Sequence, residues 1–549
     1  MSNGAQALIK TLLNNNIEVC FSNPGTSEMH FVAALDENPQ MRAVLTLFEG
    51  VATGAADGYA RMLNKPACTL LHLGCGLGNG LANLHNAHKA KVPVLNIVGD
   101  HATYHVKYNA QLQSDIETIA RNFSGWVKTT KTPEELCDDA QDAIKSSHKR
   151  EVATLILPAD VSWTDGVEAK EPTQDQFNPE IDETKIQQLV QVLKSSDKVA
   201  MILGGAALQE PMLNLLSKIS EVTGVQLFAE VFPTKMQRGV GRPYIERMAY
   251  FSELASVQLT NFEHIILVDS RRPVSFFAYP DKSSDLVPEG CEVHQLVDDY
   301  RNLSFALEHL CEQLNAMHIA PNLQEKSTQL LPYGKLTAKK VCQIIGGLLP
   351  ENAIISDEAQ TSGVMLPKYT RASPKHDLLT LTGGAIGQAL PVAIGAAIAC
   401  PDRTVFALTG DGSAMYTFQS LWTMAREELK VITIVFNNAS YSILNIELER
   451  VGVKKVGNVA KSQLSLEKPA LNFTDMARGM GVSAVRVNSC GGLKKAIRKA
   501  LALNGPTVIE VMIPSSISGL KLKALPVVLN SLNKMPLKFS KIIKKQIAP

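Results

Sequence analysis

The stretch TVFALTGDGSAMYTFQSLWTMAREELKVITIVFNN, residues 404–438, constrains the fold more than any other part of the chain. Two apolar runs rich in β-branched and aromatic residues flank a segment of helix length, the pattern of a βαβ unit. The first run ends in Gly410-Asp411-Gly412-Ser413, and the second, Val431–Phe436, ends in Asn437-Asn438. In a right-handed βαβ unit the C-terminal ends of both strands lie on one sheet edge. Asp411 and Asn438 are therefore expected to meet in space. A carboxylate and an amide carbonyl are hard oxygen donors, and a Mg²⁺ ion that keeps waters and phosphate oxygens needs few protein ligands. The glycines let a phosphate approach the backbone, and Ser413 opens the helix whose N-terminus attracts it. Either fragment alone is ordinary turn chemistry. The spacing that joins them points to Mg²⁺ plus a diphosphate.

Strand-like and helix-like runs alternate along the rest of the chain, which argues for an α/β fold of three consecutive doubly wound parallel-sheet domains. The expected blocks are residues 1–165, 183–320 and 335–514, followed by a basic C-terminal extension, 515–549. Polar, proline-containing stretches at 166–182 and 321–334 separate them. Basic and acidic residues balance, 54 against 53, so no general electrostatic case exists for nucleic acid. No apolar run reaches the roughly 18 residues of a membrane span, and the start lacks the pattern of a signal peptide. Nine cysteines with no C-x-x-C pair suggest reduced thiols in the cytoplasm.

In the first block, Leu45-Thr46-Leu47-Phe48-Glu49-Gly50 sets one acid at the end of an apolar strand, before a small-residue helix, VATGAADGYARM. Desolvation there favours a proton shared with a partner. Asn23-Pro24-Gly25-Thr26-Ser27-Glu28 reads as a Pro-Gly turn whose hydroxyl residues cap the next helix. His72 ends the strand Ala67–Leu71, ahead of a glycine-rich loop, Gly74 to Gly80. That loop does not fit G-x-G-x-x-G with an acidic ribose anchor, so it is not a dinucleotide site.

Together these segments resemble the thiamine diphosphate-dependent enzymes, in the branch that holds acetolactate synthase, pyruvate oxidase and benzoylformate decarboxylase. The resemblance runs from about residue 1 to about 515 and is densest near 20–100 and 355–445. It implies thiamine diphosphate and Mg²⁺ as cofactors, with Asp411, the Asn438 side chain and the Ser440 backbone carbonyl as metal ligands. Gly410, Gly412 and Ser413 would lie against the diphosphate, with Gln360 and Thr361 as further contacts, while Glu358 is structural. Glu49 would hydrogen-bond the pyrimidine ring and promote removal of the thiazolium proton. Gly25 and Thr26 would lie over the cofactor, Thr26 either touching substrate or capping a helix. His72 would donate or accept a proton near the bound intermediate, a structural histidine being the alternative. Asn79 would help hold the cofactor. In Gly383-Gly384-Ala385-Ile386-Gly387, Ile386 would wedge between the two cofactor rings, beside Gly384. Tyr441, Ser442 and Ile443 would line the substrate pocket.

The departures from the family pattern narrow the activity. The chain has neither the adjacent His-His pair of pyruvate decarboxylase nor, in SRRPVSFFAYPDK (270–282), the middle-domain histidine of benzoylformate decarboxylase. The reading preferred is an acetolactate synthase-like carboligase, which decarboxylates a 2-oxo acid and passes the enamine to a carbonyl acceptor. The alternatives are a benzoylformate-type decarboxylase releasing an aldehyde and a non-catalytic homologue that binds the cofactor. No flavin signature is evident, so FAD is expected to be absent or vestigial. The family builds each active site from two chains, which implies at least a homodimer, with a homotetramer expected. After Glu510 the chain has no acid, and PLKFSKIIKKQI (536–547) has the pattern of a short basic amphipathic helix. Such a tail stays solvated, packs over the active-site cleft or, less often, meets an anionic membrane surface.

Overall fold

Three sheets follow one another along the chain, each built from the apolar runs that helix-length segments separate. The computed structural model describes residues 2–172, 177–280, 282–327, 329–453, 456–514, 520–532 and 535–547. Both expected linkers lie partly outside these residues, as do the start of the basic extension and Lys534. The first sheet holds β1 (Val19–Asn23), β2 (Arg42–Leu45), β3 (Ala67–Leu71), β4 (Val94–Asp100), β5 (Trp126–Thr129) and β6 (Val152–Pro158). Their order is β2-β1-β3-β4-β6-β5, all parallel. Every residue of β3, β4 and β6 is buried, because helices cover both faces; hence the unbroken apolar runs. The order reverses between β1 and β3, and a ligand crevice opens where a doubly wound sheet reverses. The turns after β1 and β3, which carry Gly25–Glu28 and His72, flank that crevice.

The second sheet holds β7 (Val199–Leu203) and β8 (Gln226–Ala229); β9 (Met236–Arg238) leaves it; and β10 (Glu246–Arg247), β11 (His264–Val268) and β12 (Glu292–Gln295) complete it. Its order is β10-β8-β7-β11-β12. The third sheet holds β13 (Ala353–Glu358), β14 (His376–Thr380), β15 (Val405–Gly410), β16 (Val431–Asn437), β17 (Ser483–Val487) and β18 (Thr507–Met512). The order is β17-β18-β16-β15-β13-β14-β9. Its reversal falls between β13 and β15, so Gln360-Thr361 and Gly410-Asp411 flank the crevice there. β9 pairs antiparallel with β14, so the middle block lends one edge strand to a sheet otherwise parallel.

The first and third blocks of the chain lock together through helices Glu49–Leu63 and Ala389–Ala399. A Cβ on Gly58 would lie 2.1 Å from the Val392 carbonyl oxygen, and one on Gly395 would lie 1.9 Å from that of Ala55. The two backbones touch, and only glycine permits it. Beside this crossing, Asp57 and Arg61 of the ADGYAR segment form a bidentate ion pair with both side chains fully buried. Arg61 also donates to the Thr380 carbonyl and Thr382 Oγ1, and Gln388 donates to Asp57. Removing one partner of such a pair costs about 3–5 kcal/mol, because the other charge stays buried.

One correction follows. The glycine run 74–80 is not a loop: it lies within helix Leu73–Ala90. A Cβ on Gly80 would come 2.9 Å from Thr53, so its small size serves helix packing against the Glu49 helix. The tail takes the packed alternative among those the sequence left open. Helices Leu520–Ser531 and Leu537–Ile547, with Leu532 just after the first, place Leu525, Leu529, Leu532, Leu537, Ile543 and Ile547 in a cluster with Leu254, Val257 and Ile446. Lys544 is buried and donates to Glu246 at 2.6 Å. The apolar stripe thus finds its partner within the chain. No helix among the described residues is long and apolar enough to cross a membrane.

Candidate active site

At the crevice of the first sheet, Glu49 is the first residue of its helix and is 8% exposed. Its Oε2 accepts a 3.0 Å hydrogen bond from Asn79 Nδ2, one turn and more into the neighbouring helix. Asn83 Nδ2 donates to the Gly50 carbonyl at 2.7 Å, which ties the start of the Glu49 helix to the middle of its neighbour. His72 stands at the N-terminal boundary of helix Leu73–Ala90, half-buried, and Leu73 after it has φ +48°. A non-glycine residue in that region costs about 1–3 kcal/mol. His72 Nδ1 lies 2.8 Å from Glu28 Oε2 and 3.3 Å from Ser27 Oγ. Glu28 is buried and also accepts from the Gly25 backbone at 2.6 Å. A buried carboxylate therefore orients the imidazole. The sequence reading missed Glu28 as that partner, since it lies 44 residues away. Thr26 is exposed and makes none of the hydrogen bonds among the described residues, which removes the capping role; Ser27 is the hydroxyl beside His72.

At the crevice of the third sheet, β15 and β16 run in register, Gly410 opposite Phe436, and deliver Asp411 and Asn438 to one edge. Asp411 is 4% exposed, and its Oδ2 accepts from the Asn438 backbone N–H at 3.0 Å. Burial raises its pKa, and N–H groups of Gly412, Asn438, Ala439 and Ser440 work against that rise. Ala439 has φ +54°, and the turn brings the Ser440 N–H back to Asn438 Oδ1 at 3.0 Å. Asn437 points away, into the sheet, and donates to buried Glu510 at 2.8 Å. The adjacent asparagines thus divide, one structural and one at the site. Ser413 is buried in the first turn after Gly410. Gly412 faces the Tyr441 ring so closely that a Cβ would lie 2.2 Å from it.

The loop between the two edges is held from three sides. Asn86 donates to the Ala385 carbonyl and accepts from its N–H, and His85 Nε2 lies 3.1 Å from the Gly383 carbonyl. Glu358 accepts from the N–H groups of Gly387 and Ala389, at the start of helix Ala389–Ala399. Burial pushes Glu358 up to about 7. Gly384 has φ +79°, and the Phe276 ring covers it. Ile386 is half-buried and belongs to none of the core clusters among the described residues, so it is not core packing. Gln360, with φ +46°, and Thr361 line a cavity of about 140 Å³ that Ile443, Ile446, Phe251 and Ile547 of the tail also border.

Residues 2–121 match the N-terminal, and residues 360–511 the C-terminal, binding domain of thiamine pyrophosphate enzymes. A Mycobacterium tuberculosis protein named, provisionally, acetolactate synthase large subunit IlvX is 50% identical over 517 residues, 93% of this chain and 99% of that one. The chain belongs to the thiamine diphosphate-dependent enzyme family. Benzoylformate decarboxylase of Pseudomonas aeruginosa is 25% identical over 92% of this chain and 98% of its own. In fold, the chain resembles the thiamine diphosphate-dependent 4-hydroxybenzoylformate decarboxylase of Rhodococcus jostii RHA1. The TM-score is 0.82 at 21% identity, over 94% of this chain and 100% of that one.

The residues present fit a thiamine diphosphate and a Mg²⁺ ion: hard oxygen donors converge at Asp411 and Asn438, the Gly410 backbone lies open beside them, and a buried carboxylate waits at the other edge. A flavin fares differently. At the reversal of the middle sheet, between β7 and β11, the Gly204-Gly205 turn is already filled by Asp269. Its carboxylate accepts from the Ala206 N–H at 2.8 Å and pairs with Arg150 at 2.7 Å. Asp269 thus occupies the place at that turn where a dinucleotide's diphosphate would lie.

Proposed function

We propose that this enzyme uses thiamine diphosphate and Mg²⁺ to decarboxylate a 2-oxo acid and transfers the retained fragment to a carbonyl acceptor, as an acetolactate synthase does. The observation that carries this reading is the wall beside the Gly383–Gly387 loop. Phe276 packs on Phe232, Tyr250 and Phe277, with ring centroids 5.8, 5.4 and 5.1 Å away. Burial pushes the Tyr250 hydroxyl up to about 12. Such a wall offers no ready acid to protonate the reacting carbon, which favours its capture by a second carbonyl. The half-identical relative named as an acetolactate synthase subunit supports the same choice.

Bound thiamine diphosphate supplies a carbon nucleophile and an electron sink for decarboxylation. The chain supplies the rest. Asp411, Asn438 and the Ser440 carbonyl would hold Mg²⁺, with Gly410, Gly412, Ser413, Gln360 and Thr361 around the diphosphate. Glu49, fixed by Asn79, would hold a proton at the aminopyrimidine, and Ile386 would set the angle between the rings. Thr26 at the rim, with Tyr441, Ser442 and Ile443, would bound the substrate. No hydrogen bond or ion pair among the described residues joins Glu49 directly to Asp411 or Asn438. Leu47 beside Glu49 is 50% exposed, and Tyr416 after Ser413 is 54% exposed. Both edges therefore offer apolar surface to a second copy, and Glu49 of one chain would complete the Asp411 edge of another. A homodimer is the minimum unit, and a homotetramer would repeat it.

The oriented His72–Glu28 pair favours a second reading, in which a proton reaches the product and an aldehyde leaves. NMR of [1-¹³C]pyruvate and [1-¹³C]benzoylformate turnover, with thiamine diphosphate and Mg²⁺, decides between them. Labelled CO₂ with an acetolactate-type product is expected. Free acetaldehyde or benzaldehyde would establish the second reading, and no turnover of either acid would contradict both.

A further inference from the structure

Far from this site, β11 and the edge strand β12 bring three ligating side chains onto one face. The strands pair in parallel, His264 opposite Glu292 and Ile266 opposite His294. Residues two apart share a face, so His264, Glu292 and His294 project together. Ile266, Val268 and Leu296 carry that face on into the core. The positions are thus set by a hydrogen-bonded ladder rather than by a loop. His264 Nδ1 lies 3.3 Å from His294 Nε2 and 3.6 Å from Glu292 Oε2. The third side, His294 Nε2 to Glu292 Oε2, is 3.8 Å. All three potential ligand atoms fall within 4.8 Å of one another.

A tetrahedral ion with nitrogen and oxygen ligands at about 2.0–2.2 Å spaces those ligands about 3.3–3.6 Å apart. Two sides of the triangle, 3.3 and 3.6 Å, fall in that range, and the third, 3.8 Å, lies just above it. Octahedral Mg²⁺ at about 2.0–2.1 Å needs ligand atoms about 2.9 Å apart and prefers oxygen alone. We propose that His264, Glu292 and His294 form a site for one divalent transition ion of the Zn²⁺ class, with water as the fourth ligand. Two imidazoles and a carboxylate suit Zn²⁺, Co²⁺, Ni²⁺ and Cu²⁺ rather than Mg²⁺. Access is open, since the histidine side chains are 21% and 22% exposed and that of Glu292 is 69% exposed. Nearby Lys198 is already paired with Glu263, so its charge is offset. The ion would clip the edge strand to its neighbour.

An imidazole–imidazole hydrogen bond alone would give the same spacing between the histidines, and metal titration separates the two. The full chain, saturated with Mg²⁺ and thiamine diphosphate, is dialysed against Zn²⁺ and, separately, Co²⁺. Wild type should hold one more Zn²⁺ per chain than the His264→Gln/His294→Gln double variant, and only wild type should show the intense visible bands of tetrahedral Co²⁺. The exposed single change Glu292→Gln, which should leave folding intact, is expected to weaken Zn²⁺ binding about 10-fold or more. Equal Zn²⁺ content in wild type and variants, or none in any of them, would overturn the site.

Discussion

The first and third sheets present the same topological feature, a crevice where strand order reverses, yet equip it differently. On the first sheet the work falls to side chains that bond one another: Asn79 to Glu49, and Glu28 to His72. On the third sheet the backbone surrounds Asp411, with N–H groups of Gly412 and Asn438 bound to its carboxylate. A carboxylate bound by a neutral amide or an imidazole is arranged to hold or pass a proton. A carboxylate set among glycine backbone beside an amide carbonyl is arranged to hold a cation and a phosphate. On the proposed function, one edge would handle protons and the other charge. Substitutions on the two edges should therefore fail in different ways.

The largest effect is expected from Asp411→Ala, which removes the anchor of the charge-holding edge. Its affinity for thiamine diphosphate in the presence of Mg²⁺ should fall by more than about 100-fold, read by quenching of tryptophan fluorescence. Glu49→Gln should instead keep cofactor affinity within a few-fold and lose about 10²- to 10⁴-fold in kcat. If both variants lost affinity alike, the distinction between the edges would collapse. Glu28→Gln sharpens it further: His72 stays in place without its anion, so kcat should drop about 10-fold with unchanged KM for the cofactor. A purely structural role would instead move stability and leave kcat of the folded enzyme where it was.

The smallest effect concerns Glu358, which serves neither edge directly but fixes the loop between them. Its folded-state pKa is raised by burial to about 7, above the ordinary 4.5. The folded protein thus binds a proton there that the unfolded chain releases. The stability this contributes is fully present below pH 4.5 and is lost as pH rises to about 7. Relative to Glu358→Gln, wild type should lose about 1–3 kcal/mol between pH 5 and pH 8, seen as a narrowing difference in Tm.

The contrast also explains what the sequence revealed. The Asp411–Asn438 edge was legible because its parts sit at the ends of two consecutive strands of one handed unit, and local rules suffice. Three blocks of parallel sheet were legible for the same reason, from apolar runs and the segments between them. The Glu28–His72 pair was not, because β1 and β3 meet only once β2 has folded outside them. Glycines 74–80 suggested a loop, since their reason, contact with the Glu49 helix, lies in another element. The tail's apolar stripe was visible but its partner was not, because Leu254, Val257 and Ile446 come from two other blocks. The departure of β9 to the third sheet left no mark in the letters.

The central claim is that the two edges act together only across a pair of chains. Mixing Glu49→Gln chains with Asp411→Ala chains, after gentle dissociation and reassociation, tests it directly. Each variant alone is expected to be inactive. In a mixed dimer one of the two sites recovers an intact Glu49 and an intact Asp411, so random pairing should restore about a quarter of wild-type turnover. No recovery, from mixtures shown by mass spectrometry to contain the mixed dimer, would mean that both residues serve a site within one chain.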